Sequence, residues 1–194
     1  MKIVAAVAVF LLAACSSTQV KDTWKDPAFT GPPVKKVMVI GVSKSDSNRR
    51  IFEDGFSNAM RAAGADAVPA YPLLPESGAI ANERLMGAVR QAGVDAVLIT
   101  QVLRVKRNVD VTPGYAAPGF YGRGFRGYYG AAYVTAPDVN VYDVITIEST
   151  LWNIGTDKPV WSGTTELNEP KSIAGATDEI AKLLIAKMKA DGVI

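Results

Sequence analysis

From residue 36 onward the chain alternates between apolar runs, which predict buried strands, and stripes of apolar residues three or four positions apart, which predict helices. The run Lys36–Val42 is rich in branched side chains and predicts a first strand covered on both faces. A helix with N-cap candidates among the serines and Asp46 follows it. The apolar stripe of this helix, which closes at Gly64, is Ile51, Phe52, Phe56, Ala59, Met60 and Ala63.

One junction then occurs twice, as Arg61–Val68 and as Arg90–Val97. Each copy ends a helix, turns at a glycine that can adopt positive φ, and enters an apolar strand. Asn82 can cap the second helix. The resulting order of strand, helix, strand, helix and strand predicts parallel strands with right-handed crossovers. Asp66 and Asp95 stand where strands begin, whereas open α/β sheets bind ligands at the carboxyl ends, so we interpret both as turn residues rather than as catalytic carboxylates.

The rest of the chain predicts an antiparallel extension of this sheet. The third strand starts at Val94, and beyond Val102 its apolar residues alternate with charged ones, which indicates one wet face. Val139–Ile154 and Pro159–Leu167 predict a hairpin, and a helical stripe spans Ser172–Ala190. The predicted fold class is α/β: a single domain over residues 35–194 whose mixed sheet has a parallel βαβαβ start, an antiparallel extension and about three helices.

The N-terminal segment predicts where in the cell the protein is located. Lys2 precedes the apolar run Ile3–Ala14, which ends at Cys15, the only cysteine of the chain. A basic n-region, an apolar h-region and small residues before a cleavage site are typical of a secretory signal. As a helix the 12-residue run extends about 18 Å, which is too short to span a hydrocarbon core of about 30 Å.

The cysteine directly after Leu12–Ala14 resembles the lipobox of bacterial lipoproteins. This resemblance implies that residues 1–14 are a signal peptide cleaved before Cys15, that the Cys15 thiol is lipidated, and that the new N-terminus is acylated. The family pattern places an acidic residue after the cysteine in lipoproteins kept at the inner membrane, and this chain has Ser16 there. We therefore expect a protein that is lipid-anchored in the bacterial outer membrane with its body facing the periplasm.

Residues 15–34, comprising the lipidated cysteine and a polar, proline-containing stretch, predict a tether that could reach roughly 60 Å when extended. Two large apolar side chains, Trp24 and Phe29, complicate this interpretation. They favour a segment that packs against the folded domain. The alternative is that they form a partner-binding motif. Trp152 and Trp161 flank the predicted hairpin turn, and we interpret them as packing residues rather than as a carbohydrate platform.

Composition narrows the chemistry that is available. The chain has no histidine, and lipidation would remove its single thiol. Ser-His-Asp and Cys-His catalysis, zinc sites built from His or Cys, and disulfides all need residues that are then missing. With 21 basic and 19 acidic residues, the chain also lacks the electrostatic footprint of a nucleic-acid binder. We expect no enzyme activity, no cofactor, no metal and no nucleic-acid partner; a hydrolase that uses carboxylates alone is the less favoured alternative.

Residues 113–137 carry the strongest candidate for a functional segment, because a 25-residue insertion without clear structure is uncommon in a compact domain. It contains six glycines among seven aromatic residues and two arginines. Three interpretations stay open. The segment is a hairpin tip folded onto its own domain or onto a like subunit, or a loop that binds an envelope partner or the membrane surface. The third is nucleic-acid binding of the arginine-glycine type, which is disfavoured because the chain is predicted to be exported. The partner-binding candidates are Tyr115, Phe120, Tyr121, Arg123, Phe125, Arg126, Tyr128, Tyr129 and Tyr133.

A weaker candidate is an anion site in the loop after the first strand, near a helix N-terminus. Its residues are Lys44, Ser45, Ser47, Arg49 and Arg50. They lack the spacing of a P-loop. Arg50 and Glu53, three apart, are more simply interpreted as a surface ion pair.

Several segments together resemble a family of uncharacterised bacterial outer-membrane lipoproteins, over most of residues 20–167. These segments are Trp24–Pro27, Lys36–Gly41, Arg50–Asp54, Asp66–Tyr71 and Val160–Gly163. In architecture the chain is similar to the domain shared by the curli secretion channel lipoprotein and the N-terminal part of TolB. The resemblance implies a non-catalytic binding or assembly component of the envelope that self-associates or binds an envelope protein. Its alternative is a subunit of a secretion or pore assembly, although residues 113–137 lack the sustained alternation of membrane-spanning strands.

Overall fold

The computed structural model describes residues 18–75, 78–112 and 138–194. Among these residues six strands and three helices follow one another along the chain. The strands are β1 (Thr18–Lys25), β2 (Lys36–Val42), β3 (Asp66–Pro69), β4 (Ala96–Thr112), β5 (Asp138–Asn153) and β6 (Lys158–Asn168). The helices are α1 (Asp46–Ala62), α2 (Asn82–Ala92) and α3 (Ile173–Ala190).

The strands form one mixed sheet in the order β1-β6-β5-β4-β2-β3. β2 pairs in parallel with both β3 and β4, as the repeated helix–glycine–strand junction predicted. β4, β5, β6 and β1 continue the sheet through antiparallel pairs. The predicted fold class is confirmed: an α/β fold whose mixed sheet has a parallel start and an antiparallel extension, with three helices in the described residues.

Helices cover the two faces of the sheet unequally. α1 and α3 pack on one face, where Val39 and Leu98 of the sheet meet Phe56 of α1 and Leu184 of α3 in the larger core cluster. The other face carries α2, and there Met38 and Val97 pack with residues such as Val89. Burial on both faces explains why the β2 run is apolar at successive positions, since a strand with one wet face would alternate.

Helix ends follow the sequence signals with one exception. The Ser45 hydroxyl caps α1 by accepting from the Asn48 N–H, and the Ser172 hydroxyl caps α3 by accepting from the Gly175 N–H. Gly64 and Gly93 have φ of 92° and 60°, the left-handed region in which a side chain would be strained. The expected capping role of Asn82 is wrong: Asn82 is the first helical residue, and Ala81 before it provides no side-chain cap.

The main correction concerns the predicted tether. Thr18–Lys25 is not a linker but an edge strand, paired with β6 from Thr18 opposite Leu167 to Lys25 opposite Trp161. Phe29, which was expected to pin this segment, packs against the larger core. In the described part of the chain the folded domain therefore starts at Thr18 rather than at residue 35, and only two residues lie between Thr18 and an anchor at Cys15.

The two ends of the sheet differ in character. β2 finishes at one end, next to the start of α1, where β4 continues past it, and β6 finishes there next to the start of α3. Because β1 is antiparallel to β6, the chain also enters the sheet at this end, at Thr18. The opposite end holds the β5–β6 turn and the glycine turns after α1 and α2. We call the first of these the arm end.

Candidate functional site: the arm and the groove at its base

β4 and β5 extend beyond the rest of the sheet. β4 pairs with β2 only as far as Gln101, and β6 pairs with β5 only from Val144 onward. Farther out, the two strands pair with each other up to Thr112 opposite Asp138. We call this ribbon, Val105–Thr112 with Asp138–Ile145, the arm. Within the described parts of the chain its outer portion has no other strand beside it.

A β-bulge at the base of the arm determines on which face of the sheet each side chain of the arm lies. The register of β4 shifts between Val102 and Arg104, so Leu103 is the extra residue. An extra residue reverses the alternation of side chains between the faces of a strand. Beyond the bulge, Val105 and Val109 therefore lie on the same face of the sheet as α1 and α3, while Arg104 and Lys106 lie on the other.

The arm is amphipathic, and its apolar face is open to solvent. Val105, Val109, Val139 and Val141 lie on this face and are 58, 56, 54 and 50% exposed. The opposite face carries only one apolar side chain among polar ones; its residues are Arg104, Lys106, Asn108, Asp110, Asn140, Tyr142 and Val144. Large apolar side chains that cluster on an exposed surface mark a site of interaction.

An ion pair interrupts the apolar face. Arg107 and Asp143 lie opposite each other, with the Arg107 Nε 2.9 Å and its Nη2 3.3 Å from the two carboxylate oxygens. This bidentate hydrogen bonding with the guanidinium lowers the pKa of Asp143 and raises that of Arg107. The pair carries no net charge, so the face remains mostly apolar from its base to Val139.

A groove lies at the base of the arm, between the N-termini of α1 and α3, the carboxyl end of β2 and residues 100–102 in the middle of β4. It encloses about 170 Å³. Its wall is mainly apolar and includes Phe52, Ile147 and Ile180, while Val42 at the end of β2 and Val102 in β4 are more than half exposed. The carboxyl ends of parallel strands are the usual ligand position in an open α/β sheet. Ile147 in its wall and Ile145 of the arm are two positions apart on β5 and lie on the same face, so we treat the groove and the apolar face of the arm as one surface.

The five residues of the weak anion-site hypothesis do not converge on this groove. Ser45 is occupied as the cap of α1, and Lys44 and Ser47 are exposed to solvent. Arg49 lines the groove but is 3% exposed and ion-paired. Arg50 pairs with Asp46 at 2.8 Å on the helix surface and lies 5.3 Å from the centre of the Tyr71 ring. Both arginines are thus already bonded to carboxylates of α1.

The sequence interpretation missed Glu53, which is completely buried. Its Oε1 accepts hydrogen bonds from the Gly41 N–H at 3.1 Å and from the Arg49 Nε at 2.8 Å. Its Oε2 accepts from the Tyr71 N–H at 2.7 Å. The expected surface pair of Arg50 with Glu53 is therefore wrong, because Glu53 pairs with Arg49 one helical turn away. The i,i+4 spacing of Arg49 and Glu53, with Phe52 and Phe56 beside them, was the signal that could have identified this pair.

Next to Glu53, the Tyr71 ring closes over the surface of α1. Its hydroxyl donates to Asp54 across 3.4 Å. The pKa of Tyr71 is raised, first because the Asp54 carboxylate disfavours a second negative charge beside it, and then because of burial. Tyr71 and Glu53 together fasten the loop after β3 onto α1, which stabilises the wall of the groove.

The tryptophans separate into different environments. Trp161 is fully buried, and its Nε1 donates to the Asp191 carboxylate at 2.8 Å, which agrees with the packing interpretation. Trp152 is half-buried, and Trp24 on the edge strand is 45% exposed. Asp95 has the structural role expected of it: its carboxylate accepts from the N–H groups of Lys35 and Lys36.

Other predicted residues lie outside the described part of the chain. They are the lipidation candidate Cys15 and the partner-binding candidates Tyr115, Phe120, Tyr121, Arg123, Phe125, Arg126, Tyr128, Tyr129 and Tyr133. Across residues 18–75, 78–112 and 138–194, no three His, Cys, Asp or Glu side chains come together as a metal site would require. In the same ranges, no helix combines the length and hydropathy that crossing a membrane demands.

The sequence matches no protein-family model and no curated protein. Among solved structures, a PelC dodecamer with one substitution, from Paraburkholderia phytofirmans, is 18% identical with a TM-score of 0.49, over 87% of this chain and 96% of that one. A second crystal form of the PelC dodecamer gives 17% identity and a TM-score of 0.47, over 87% of this chain and 95% of that one. Lipoprotein GNA1162 from Neisseria meningitidis is 14% identical with a TM-score of 0.44, over 80% of this chain and 99% of that one. At these identities and TM-scores, the similarities assign neither a family nor a function to this chain.

Proposed function

We propose that this chain is a lipid-anchored component of the bacterial cell envelope that works by binding or assembly rather than by catalysis. The observation that carries the proposal is the N-terminal order of Lys2, the apolar run Ile3–Ala14 and Cys15. This order combines the n-region, h-region and cleavage-site features of an exported precursor. Several acyl chains on one protein hold it firmly, since each buried methylene contributes about 0.8 kcal/mol.

The arm and its groove support the binding part of the proposal. The charged side chains that line or adjoin this surface are engaged with each other, as in the pairs Arg49 with Glu53 and Arg107 with Asp143. An acid-base or nucleophilic mechanism needs a side chain that is positioned for a substrate. An exposed apolar face with neutralised charges suits the burial of another apolar surface instead.

The test of the anchor uses cells that express the full chain and are grown with radioactive palmitate. We expect the label on the wild-type protein and on Ser17→Ala, the matched control, but not on Cys15→Ser. The unlabelled variant should also leave the membrane pellet for the soluble periplasmic fraction. Equal labelling of Cys15→Ser and wild type would refute the lipid anchor.

The choice of membrane is tested separately, by separating inner and outer membranes on a density gradient. We expect wild-type protein in the outer-membrane fraction. Ser16→Asp introduces the acidic residue that is typical of inner-membrane lipoproteins, and we expect this variant in the inner-membrane fraction. Wild-type protein in the inner-membrane fraction would contradict the outer-membrane assignment and leave the lipid anchor intact.

A further inference from the structure

The position at which the chain enters the sheet constrains how an anchored domain faces its membrane. Thr18 pairs with Leu167, and the next residue of β6, Asn168, pairs with Val144 at the base of the arm. The N-terminus and the arm therefore leave the sheet at the same end. A polypeptide extends at most about 3.6 Å per residue, so Cys15, three positions before Thr18, lies within about 11 Å of this end.

This short connection differs from the long tether that the sequence suggested. With Thr18–Lys25 held in the sheet, only Ser16 and Ser17 separate the arm end of the domain from lipids attached at Cys15. The arm runs outward from Val105 to Thr112 at about 3.4 Å per residue, or about 24 Å beyond its base. That length exceeds the connection, so the arm can reach the bilayer to which the chain is attached.

The chemistry of the arm fits a lipid surface. Its four valines are half or more exposed on one face, which is the arrangement of an amphipathic element lying at a lipid–water boundary. Arg107 is held by Asp143 and has a long apolar stem, so its guanidinium can stay at headgroup level while the valines around it enter the acyl region. Arg104 and Lys106 lie on the opposite face, which then points away from the bilayer into water.

We propose that the apolar face of the arm rests on the membrane that holds the Cys15 lipids and fixes the orientation of the domain on that surface. The inference rests on the proposed lipid anchor. A second copy of the chain is the competing occupant, and the area disfavours it. Stable interfaces bury about 800 Å² per partner, whereas the described part of the arm offers four half-exposed valines on its apolar face.

The experiment places probes on the full-length lipidated protein, reconstituted into vesicles of phosphatidylethanolamine and phosphatidylglycerol. Because the Cys15 thiol is acylated, an introduced cysteine is the only free thiol for an environment-sensitive fluorophore. Val141→Cys and Val109→Cys report on the apolar face. Asn140→Cys, adjacent to Val141 on the polar face, is the matched control, and Lys158→Cys reports on the opposite end of the sheet.

We expect the two valine positions to show blue-shifted emission and strong quenching by nitroxide-labelled lipids. The Asn140 position should be quenched less, and the Lys158 position only by a water-soluble quencher. Aqueous quenching at Val109 and Val141 equal to that at Lys158 would overturn the proposal. Shielding of the valine positions without lipid quenching, together with crosslinks between chains, would also overturn it and identify a second copy as the occupant.

Two controls keep the results separable. The circular dichroism of each variant must match that of wild type, and using two valine positions protects the test against the failure of one variant. Mass spectrometry of the N-terminal peptide from the same vesicles determines whether Cys15 is acylated. An acylated chain with water-exposed valines refutes only the orientation, whereas a chain without acyl groups refutes the proposed anchor.

Discussion

Replacing Glu53 with glutamine removes one charge from the centre of the fold with almost no change in shape. The carboxylate accepts from three donors, two of them backbone N–H groups of Gly41 and Tyr71. The glutamine amide has one oxygen and one NH₂ group, so whichever way it turns, a donor faces a donor. In the same variant, Arg49, which is 3% exposed, loses the carboxylate that lies 2.8 Å from its Nε.

The expected loss of unfolding free energy is about 3–5 kcal/mol, the cost of removing one partner from a buried ion pair. This is a large share of the 5–15 kcal/mol that typically stabilises a domain of this kind. Asp46→Asn is the matched control, since it also removes a carboxylate of α1 that pairs with an arginine four positions away. Both side chains of that pair are about half exposed, so we expect a loss of at most about 1 kcal/mol.

The assay is urea unfolding followed by far-ultraviolet circular dichroism and tryptophan fluorescence, with the free energy taken from linear extrapolation. We expect Glu53→Gln to unfold at a clearly lower midpoint concentration of urea. The slope of the unfolding free energy against urea concentration should stay unchanged. A loss below about 1 kcal/mol, equal to that of Asp46→Asn, would show that the buried carboxylate does not hold β2, α1 and the loop after β3 together.

Three further outcomes are expected. Gly163→Ala should destabilise the fold by about 1–3 kcal/mol in the same urea assay, because the Trp161 indole already occupies the space of the new methyl group; unchanged stability would contradict this packing. Arg107→Gln should raise the pKa of Asp143 toward its ordinary value of 3.8, as measured by NMR titration of the carboxyl group. In the wild type, the pair with Arg107 stabilises the arm fully above pH 3.8. This stabilisation is lost as the pH falls through the lowered pKa of Asp143. Ser172→Ala should cost about 0.5–2 kcal/mol in thermal unfolding through loss of the α3 cap, and a neutral result would refute that role.

The parallel half of the sheet could be predicted from local sequence, because burial on both faces leaves a continuous apolar run and each crossover carries its own helix stripe and glycine. β1 could not be predicted in this way. Its segment is short and partly polar, as suits an edge strand, and it contains an irregular step between Val20 and Asp22. Its pairing partner lies in the last third of the chain, so no local pattern indicates the register.

The candidate site, too, could be predicted from the sequence only in part. Alternation beyond Val102 predicted a single wet face on β4, and this is wrong for the arm. Both of its faces are exposed, because β2 and β6 stop short of it. The role of Glu53 also depends on tertiary structure, because it is the loop after β3 that brings the Tyr71 N–H to the carboxylate. Sequence alone favoured a surface pair with Arg50, since a glutamate on a helix is usually solvated.

The edge position of β1 has a consequence for the order in which the protein assembles. Thr18 bonds through its side chain to Glu179, which is 161 positions later in the chain, so β1 can dock only after β6 and α3 exist. Contacts of such sequence separation form slowly, because a long loop must close first. An acylated N-terminus would then be attached to the membrane before its own strand joins the sheet. Until this last pairing step, the outer edge of β6 would remain open to the β1 strand of a neighbouring chain.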